Sequence, residues 1–279
     1  MKMYIDLIRL KHWIKNLIIF IPLFFSKTFY GLQIFNTFLG FISFSLMASF
    51  IYIINDIRDL DKDRKHPIKK KRPIANNSIT IKKSLIIAII LFVVSIIINS
   101  FITKSIFNIT TIYLILYVII NILYSFGLKN IPILDVFLLS SGFIIRIYYG
   151  AEIIGVSVSK WLFLTILSSS LFLGFSKRKK EKFISANTRK VLEKYDINFL
   201  NNVVNIFSTL LIIFYSLWAF EQNNNFIIYT VILVIYIILQ FTKTFEKNDI
   251  DDPVQIIYDN KVLIFTITLY IIIMFICMI

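Results

Sequence analysis

The 279-residue chain is 58% hydrophobic and 16% aromatic, with a mean hydropathy of +0.79, and its 30 Lys and Arg against 16 Asp and Glu leave a net charge of +14. These values lie outside the range of soluble globular domains and mark an integral membrane protein. Long unalternating apolar runs with only seven Gly and five Pro exclude barrel strands, and the single Cys277 excludes an internal disulfide or thiolate cluster.

At about 20 residues per spanning helix, the chain accommodates roughly nine spans with short loops. The expectation is an all-α, polytopic membrane bundle forming one domain over residues 1–279. The opening segment MKMYIDLIRLKHWIKN carries charge but no small-residue cleavage site, so it reads as retained rather than as a removed signal. Apolar runs then predict spans near 15–30, 34–55, 84–103, 106–125, 133–153, 160–177, 203–220, 225–242 and 260–278. Lys2, Arg9, Lys11 and Lys15 precede the first span, ten Lys/Arg lie between Arg58 and Lys83, and eight between Lys177 and Lys194, against Lys27, Lys104 and Lys160 on the opposite loops. By the positive-inside rule the N-terminus and the loops near 55–83, 125–133 and 177–200 are cytoplasmic, and nine spans place the C-terminus outside. Topology and anionic headgroups account for the net charge, and no nucleic-acid partner is required. No fixed-period repeat is present.

After the second span comes NDIRDLDKD, where Asp56, Asp59 and Asp63 are spaced +3 and +4 and share one face of a continued helix, with Asp61 pointing elsewhere. Three like charges on one stripe repel, which calls for a counter-ion. Carboxylates are hard ligands suited to Mg²⁺, which keeps water and substrate phosphates as its remaining ligands, and Asn55 adds a neutral oxygen. The plainer alternative is a solvated helix end whose acids pair with Arg58, Lys62 and Arg64. The next stretch, HPIKKKRPIA, is basic as any cytoplasmic loop is. Its Pro67 and Pro73 stiffen it, however, and Arg72 offers a planar fork for phosphate oxygens.

The pattern Asn55-Asp56-x-x-Asp59-x-x-x-Asp63 resembles the first aspartate-rich motif of the UbiA superfamily of intramembrane transferases. That resemblance implies a nine-helix bundle binding a Mg²⁺-diphosphate at its cytoplasmic mouth. The extension through His66, Pro67, Lys69, Arg72 and Pro73 is similar to the decaprenyl-phosphate phosphoribosyltransferase branch. So are RLKHWIKN (Lys11, Trp13, Lys15, Asn16), YSFGLKNIPILD (Tyr124, Lys129, Asp135), GFIIR (Arg146), GFSKRKKE (Lys177, Arg178, Glu181), RKVLEKY and DDPVQIIYDNKVL. Prenyltransferases of the superfamily typically carry a second aspartate-rich motif between spans six and seven. Here that loop reads SKRKKEKFISANTRKVLEKYD, with only Glu181 and Glu193 before Lys194, and its cations suit phosphate monoesters. The resemblance therefore implies transfer of 5-phosphoribosyl from phosphoribosyl diphosphate to a polyprenyl phosphate, with Mg²⁺ or Mn²⁺, for cell-envelope glycan precursors.

The candidate set follows. Asp56, Asp59, Asp63 and Asn55 hold metal and diphosphate, while Lys69, Arg72, Lys129, Lys177 and Arg178 contact phosphates. Lys11, Lys15 and Asn16 close the mouth, and Tyr124 and Glu181 accompany them. Asp135 and Arg146, at or inside the fifth span and three turns apart, can both face the bundle interior; charges are costly there and carry either function or a structural ion pair or cavity-facing network elsewhere. His12 and His66 cannot form a His-rich metal site, and His66 reads as a loop contact. The enzyme alternative is prenyl transfer to an aromatic acceptor. The alternative of another class is a transporter, for which paired repeats and interrupted midplane helices are not found.

Overall fold

The structure, a computed structural model, describes residues 2–26, 31–66, 69–184, 190–247 and 253–278. All regular structure among them is helical. In chain order these are α1 (Lys2–Ile8), a 3-10 segment (Leu10–Phe20), α2 (Ile21–Phe25), α3 (Gly31–Arg58), α4 (Leu60–Lys65), α5 (Ile81–Thr103), α6 (Ile109–Ser125) and α7 (Leu134–Ile154). There follow α8 (Lys160–Ile184), α9 (Lys190–Glu193), α10 (Ile197–Phe220), α11 (Thr230–Lys247), α12 (Pro253–Asp259) and α13 (Lys261–Met278).

Among the described residues six helices are long and apolar enough to cross a membrane: α3, α5, α7, α10, α13, and α11 together with the turn before it from Asn225. The chain is thus a multi-pass membrane protein. The other three expected spans also fall on helical segments within the described residues. One is the 17-residue α6. Another is α8, 25 residues long but diluted by Ser168, Ser169 and Ser170 and ending in a basic turn. The third, the first apolar run, is split between the 3-10 segment and α2, with Pro22 at the start of α2.

Caps explain where several helices begin. Thr80, Asn108 and Asp196 have extended backbones, and their side chains accept N–H groups from the first turns of α5, α6 and α10. Lys104, left-handed at φ 57°, closes α5.

The chain divides into two compact units, and α7 contributes its first half to one and its second half to the other. The first comprises residues 1–126 and 145–157. Helices α3 and α5 approach closely through small residues: Ser43 Oγ donates to the Ser95 carbonyl at 2.9 Å and Ser95 Oγ returns a bond to the Ser43 carbonyl at 2.8 Å. Phe44, Met47, Ile51, Ile19, Leu114 and Tyr149 form one core, and Leu7, Ile53, Ile74, Ile79 and Ala88 a second. The second core matters for the site, because buried Ile74 and Ile79 anchor the chain that follows the basic turn.

The 3-10 segment has three residues per turn, so Trp13, Asn16 and Ile19 stack in one stripe. Trp13 Nε1 donates to Ser49 Oγ at 3.0 Å and Asn16 Nδ2 to Ser45 Oγ at 2.8 Å. Gly150 meets the end of the stripe so closely that a Cβ there would lie 2.2 Å from the Ile19 carbonyl oxygen.

The second unit comprises residues 127–144 and 158–279. Its core joins Leu171, Phe172 and Phe175 of α8 to Leu200, Val204 and Leu211 of α10, with Phe241 and Phe245 of α11 and Leu263 of α13. The Phe175 and Phe207 rings lie parallel with centroids 5.7 Å apart. Val191, Leu192 and Tyr195 are buried in the same core, so the short α9 is fixed to this unit by apolar side chains.

Candidate active site

Helix α3 carries the aspartates past its apolar stretch, turns at Asp59 (φ −90°, ψ 13°) and resumes as α4. The helical hydrogen-bond pattern survives the turn: Asp59 N–H donates to the Asn55 carbonyl and Asp63 N–H to the Asp59 carbonyl, both at 2.9 Å. Asp56 and Asp63 therefore keep the same face. Both are buried, at 4% and 3% exposure. Their carboxylates converge on a single nitrogen, Arg72 Nη1, which lies 3.0 Å from Asp56 Oδ1 and 2.5 Å from Asp63 Oδ2. Arg9, at the start of the 3-10 segment, donates to the same Asp56 oxygen and lies over the Tyr52 ring. Arg9 sits at φ 53°, a left-handed turn that separates α1 from the 3-10 segment.

The solvated-end alternative is not what forms around these two acids. Arg58 stacks over Phe126 at 4.3 Å, and Arg64 donates to Asn77 Oδ1 at 2.7 Å and to the Ala75 carbonyl at 3.4 Å. Arg72 reaches the pair because Pro73, Ile74 and Ala75 after it are buried.

The donor set fits a divalent cation of the kind that keeps water and phosphate oxygens. Two hard carboxylates already share one cationic atom, which is the number Mg²⁺ usually takes from protein. Among the described residues no three His, Cys, Asp or Glu side chains are gathered as a closed cage. The expected trio is thus drawn together as the pair Asp56 and Asp63. Asp59, half-buried, stands at the N-cap position of α4 without a side-chain capping bond, and the Asn55 amide oxygen accepts Ser125 Oγ at 2.6 Å.

The remaining predicted residues of the first unit lie as follows. Lys69 opens a 3-10 turn (Lys69–Lys71), and its N–H donates to His66 Nδ1 at 3.3 Å. Pro67 lies outside the described residues, as do Lys27, Arg189, Asp251 and Asp252. Lys11 is exposed, whereas Lys15 and Tyr124 are half-buried. Asn16, 1% exposed, accepts Arg146 Nε at 2.7 Å on its amide oxygen. Arg146 is also buried; its guanidinium lies over the Phe44 and Tyr117 rings at 4.8 and 4.9 Å, with Nη2 3.3 Å from Tyr117 Oη. A charge inside a spanning helix is thus met by an amide, a phenol and two aromatic faces.

In the second unit Asp135 does not pair along its own helix. Its Oδ2 accepts Arg178 Nε at 2.6 Å and its Oδ1 accepts the Tyr195 hydroxyl at 2.6 Å, while Arg178 Nη1 donates to Glu181 at 2.6 Å. Asp135 is wholly buried, with Arg178 at 1%, Tyr195 at 3% and Glu181 at 6% exposure. Tyr195 Oη also accepts the N–H of Ile133 at 2.6 Å, and Ile133 is a β-branched residue at φ 69°. That left-handed backbone costs about 1–3 kcal/mol and persists because the phenol holds it. Burial first, and then the bond to Asp135, push the Tyr195 phenol above its usual range. Lys182 donates to the carbonyls of Leu192 (2.9 Å) and Tyr195, clamping the end of α9. Lys179 pairs with Glu246 at 2.8 Å, and Lys180 donates to the Glu246 carbonyl at 3.1 Å. Lys129, in the 3-10 turn Leu128–Asn130, and Lys177 are half-buried.

Besides Tyr117, which meets Arg146, sequence reasoning left Arg9 and Tyr195 out of the site. Both lie in quoted motifs, RLKHWIKN and RKVLEKY, which is the signal that points to them.

The chain matches the sequence model of the UbiA prenyltransferase family over residues 18–265. It is 32% identical to a decaprenyl-phosphate phosphoribosyltransferase of Mycolicibacterium smegmatis over 231 residues, which is 79% of this chain and 71% of that one. Its identity to the protein of the same name from Mycobacterium tuberculosis is 33% over 190 residues, 67% of this chain and 62% of that one. Among solved structures it resembles a UbiA homolog from Archaeoglobus fulgidus bound to GPP and Mg²⁺, with a TM-score of 0.74 at 18% identity over 99% of both chains. At that identity the likeness establishes the fold, which is UbiA-like.

Proposed function

Because the chain belongs to the UbiA prenyltransferase family, we propose that it is a membrane transferase moving 5-phosphoribosyl from phosphoribosyl diphosphate to a polyprenyl phosphate. The observation that carries this reading is the convergence of buried Asp56 and Asp63 on one cationic position beside a basic turn. A divalent cation, Mg²⁺ or Mn²⁺, bound there with Asp56, Asp63 and Asp59 supplies charge neutralisation for the departing diphosphate. Arg72 and Lys69 bind diphosphate oxygens and orient the donor. A lipid phosphate oxygen attacks the anomeric carbon with inversion, and the bond from that carbon to the diphosphate oxygen breaks. The nucleophile is already ionised at neutral pH, so positioning and charge stabilisation carry the rate and no general base is needed.

The donor assignment is supported by the 177–194 stretch. Whereas the first motif supplies Asp56, Asp59 and Asp63, this stretch holds only two acids before Lys194, Glu181 and Glu193, and no aspartate pair. Its cations, Lys177 first among them, suit a phosphate monoester. The M. smegmatis and M. tuberculosis relatives carry the corresponding name. The N-terminus and the loops near 55–83, 125–133 and 177–200 face the cytoplasm of a bacterial-type inner membrane, and the product feeds cell-envelope glycan synthesis.

Prenyl transfer to an aromatic acceptor is the competing reading, favoured by the fold neighbour bound to GPP and Mg²⁺. Purified protein with Mg²⁺, labelled phosphoribosyl diphosphate and polyprenyl phosphate is expected to yield labelled lipid. Consumption of geranyl diphosphate with an aromatic acid, and no labelled lipid, would overturn the assignment.

A further inference from the structure

Three ion pairs link Asp56, Asp63, Arg9 and Arg72, two carboxylates and two guanidiniums whose formal charges cancel. Arg72 Nη1 stands between the carboxylates, at contact distance from both, in the place a shared cation would take. This one nitrogen reaches both buried acids from the loop that follows them. We infer that Arg72 is the resident counter-ion of this site, and that it gives up the carboxylates only when an anion arrives to receive it, so that divalent metal and diphosphate bind as one.

The reasoning is electrostatic. A divalent cation entering the intact set would add two positive charges to a neutral, largely buried cluster and leave a displaced guanidinium without a partner, which is costly at low local dielectric. Diphosphate removes both penalties, because the guanidinium exchanges carboxylate oxygens for phosphate oxygens of the same geometry. Arg72 is also the more mobile partner. It is 29% exposed and rises from a loop, whereas both carboxylates are at least nine-tenths buried on helices. Arg9, which among the described residues pairs with Asp56 and stacks on Tyr52, is 19% exposed and remains as the counter-charge. The inference rests on the metal-diphosphate reading above and adds the order of events: metal alone binds poorly, and the donor recruits it.

The test measures metal bound to the full-length protein in detergent, as Mn²⁺ retained on ultrafiltration and as the rise in melting temperature on adding Mn²⁺. Each is recorded with and without inorganic diphosphate. Wild type is expected to bind Mn²⁺ about 5–150-fold more tightly with diphosphate than without, the usual range of a coupling between two ligands. Arg72→Gln is expected to bind Mn²⁺ alone more tightly than wild type by a similar factor, to lose most of the coupling, and to gain more in melting temperature from Mn²⁺. Arg9→Gln, which leaves Arg72 in place, is expected to retain the coupling, and it serves if Arg72→Gln does not fold. Equal affinity for Mn²⁺ alone in wild type and Arg72→Gln overturns the inference while leaving the metal site intact, as does an Arg9→Gln protein without coupling. Failure of wild type to retain Mn²⁺ even with diphosphate overturns both the inference and the metal-site reading.

Discussion

Replacing Asp135 by Leu isolates the buried charge network of the second unit. The carboxylate is wholly buried and accepts Arg178 Nε and the Tyr195 hydroxyl, each at 2.6 Å, while Arg178 gives Nη1 to Glu181. The variant deprives a guanidinium that is 1% exposed of the carboxylate facing its Nε. Breaking a buried pair from one side costs about 3–5 kcal/mol, chiefly because the surviving charge stays out of water. At about 2–4 °C per kcal/mol for a chain of this size, melting in detergent should fall by roughly 6–20 °C. Removing the whole ionic group at once, as Asp135→Leu, Arg178→Met and Glu181→Leu together, takes away desolvation and attraction alike. Such exchanges are typically neutral or favourable by about 1–4 kcal/mol, so the triple variant should recover most of the lost melting temperature. Transfer activity of the triple variant then separates a site role from a structural one. A triple variant as unstable as the single would refute the reasoning, since the damage could not then come from an unbalanced buried charge.

Asp63→Asn keeps the shape of the site but halves the carboxylate pair; transfer should fall about 10²–10³-fold in protein that elutes normally on gel filtration, and an unchanged rate would remove Asp63 from the chemistry. Gly150→Ala forces a Cβ against the Ile19 carbonyl oxygen, where only backbone movement makes room, and should cost about 1–3 kcal/mol, read as a lowered melting temperature. Tyr195→Phe removes the acceptor of the Ile133 N–H and a donor to Asp135, for about 1–3 kcal/mol at neutral pH. The same variant has a pH signature. A phenol raised above 10.0 on folding keeps its proton in the native state after the unfolded chain has lost it, so that contribution is whole below pH 10 and declines as pH rises beyond it. The melting temperature of wild type should therefore fall more steeply than that of Tyr195→Phe above pH 10; parallel curves would show that the phenol is not the group responsible.

The apolar spans and the Asp56–Asp63 face were legible because each depends on local periodicity, which a sequence carries openly. The turn at Asp59 could have broken that face, and it did not, since the backbone bonds from Asp59 and Asp63 preserve helical register. What the sequence did not disclose was long-range. Arg9 reaches Asp56 across 47 positions through a left-handed turn, and Tyr195 reaches Asp135 across 60. No spacing rule connects such pairs, and the charged segments containing Arg9 and Arg178 are equally explained by topology. The separation of eleven put Asp135 and Arg146 on one inward face of their span but did not name their partners, which come from other elements: Arg178 and Tyr195 for Asp135, Asn16 and Tyr117 for Arg146. The 3-10 character of Leu10–Phe20 was likewise invisible, because over eleven residues a period of three is hardly distinguishable from 3.6.

That winding sets a rule for how the segment can change length over evolutionary time. With three residues per turn, inserting or deleting one residue rotates everything beyond it by about 120° and turns Asn16 and Ile19 away from Ser45 and Gly150. Adding or removing three returns the stripe to register and only shifts it along its axis by about 6 Å. Related chains that differ in length between Arg9 and Pro22 should therefore differ in multiples of three, a regularity that a set of aligned sequences will reveal or deny.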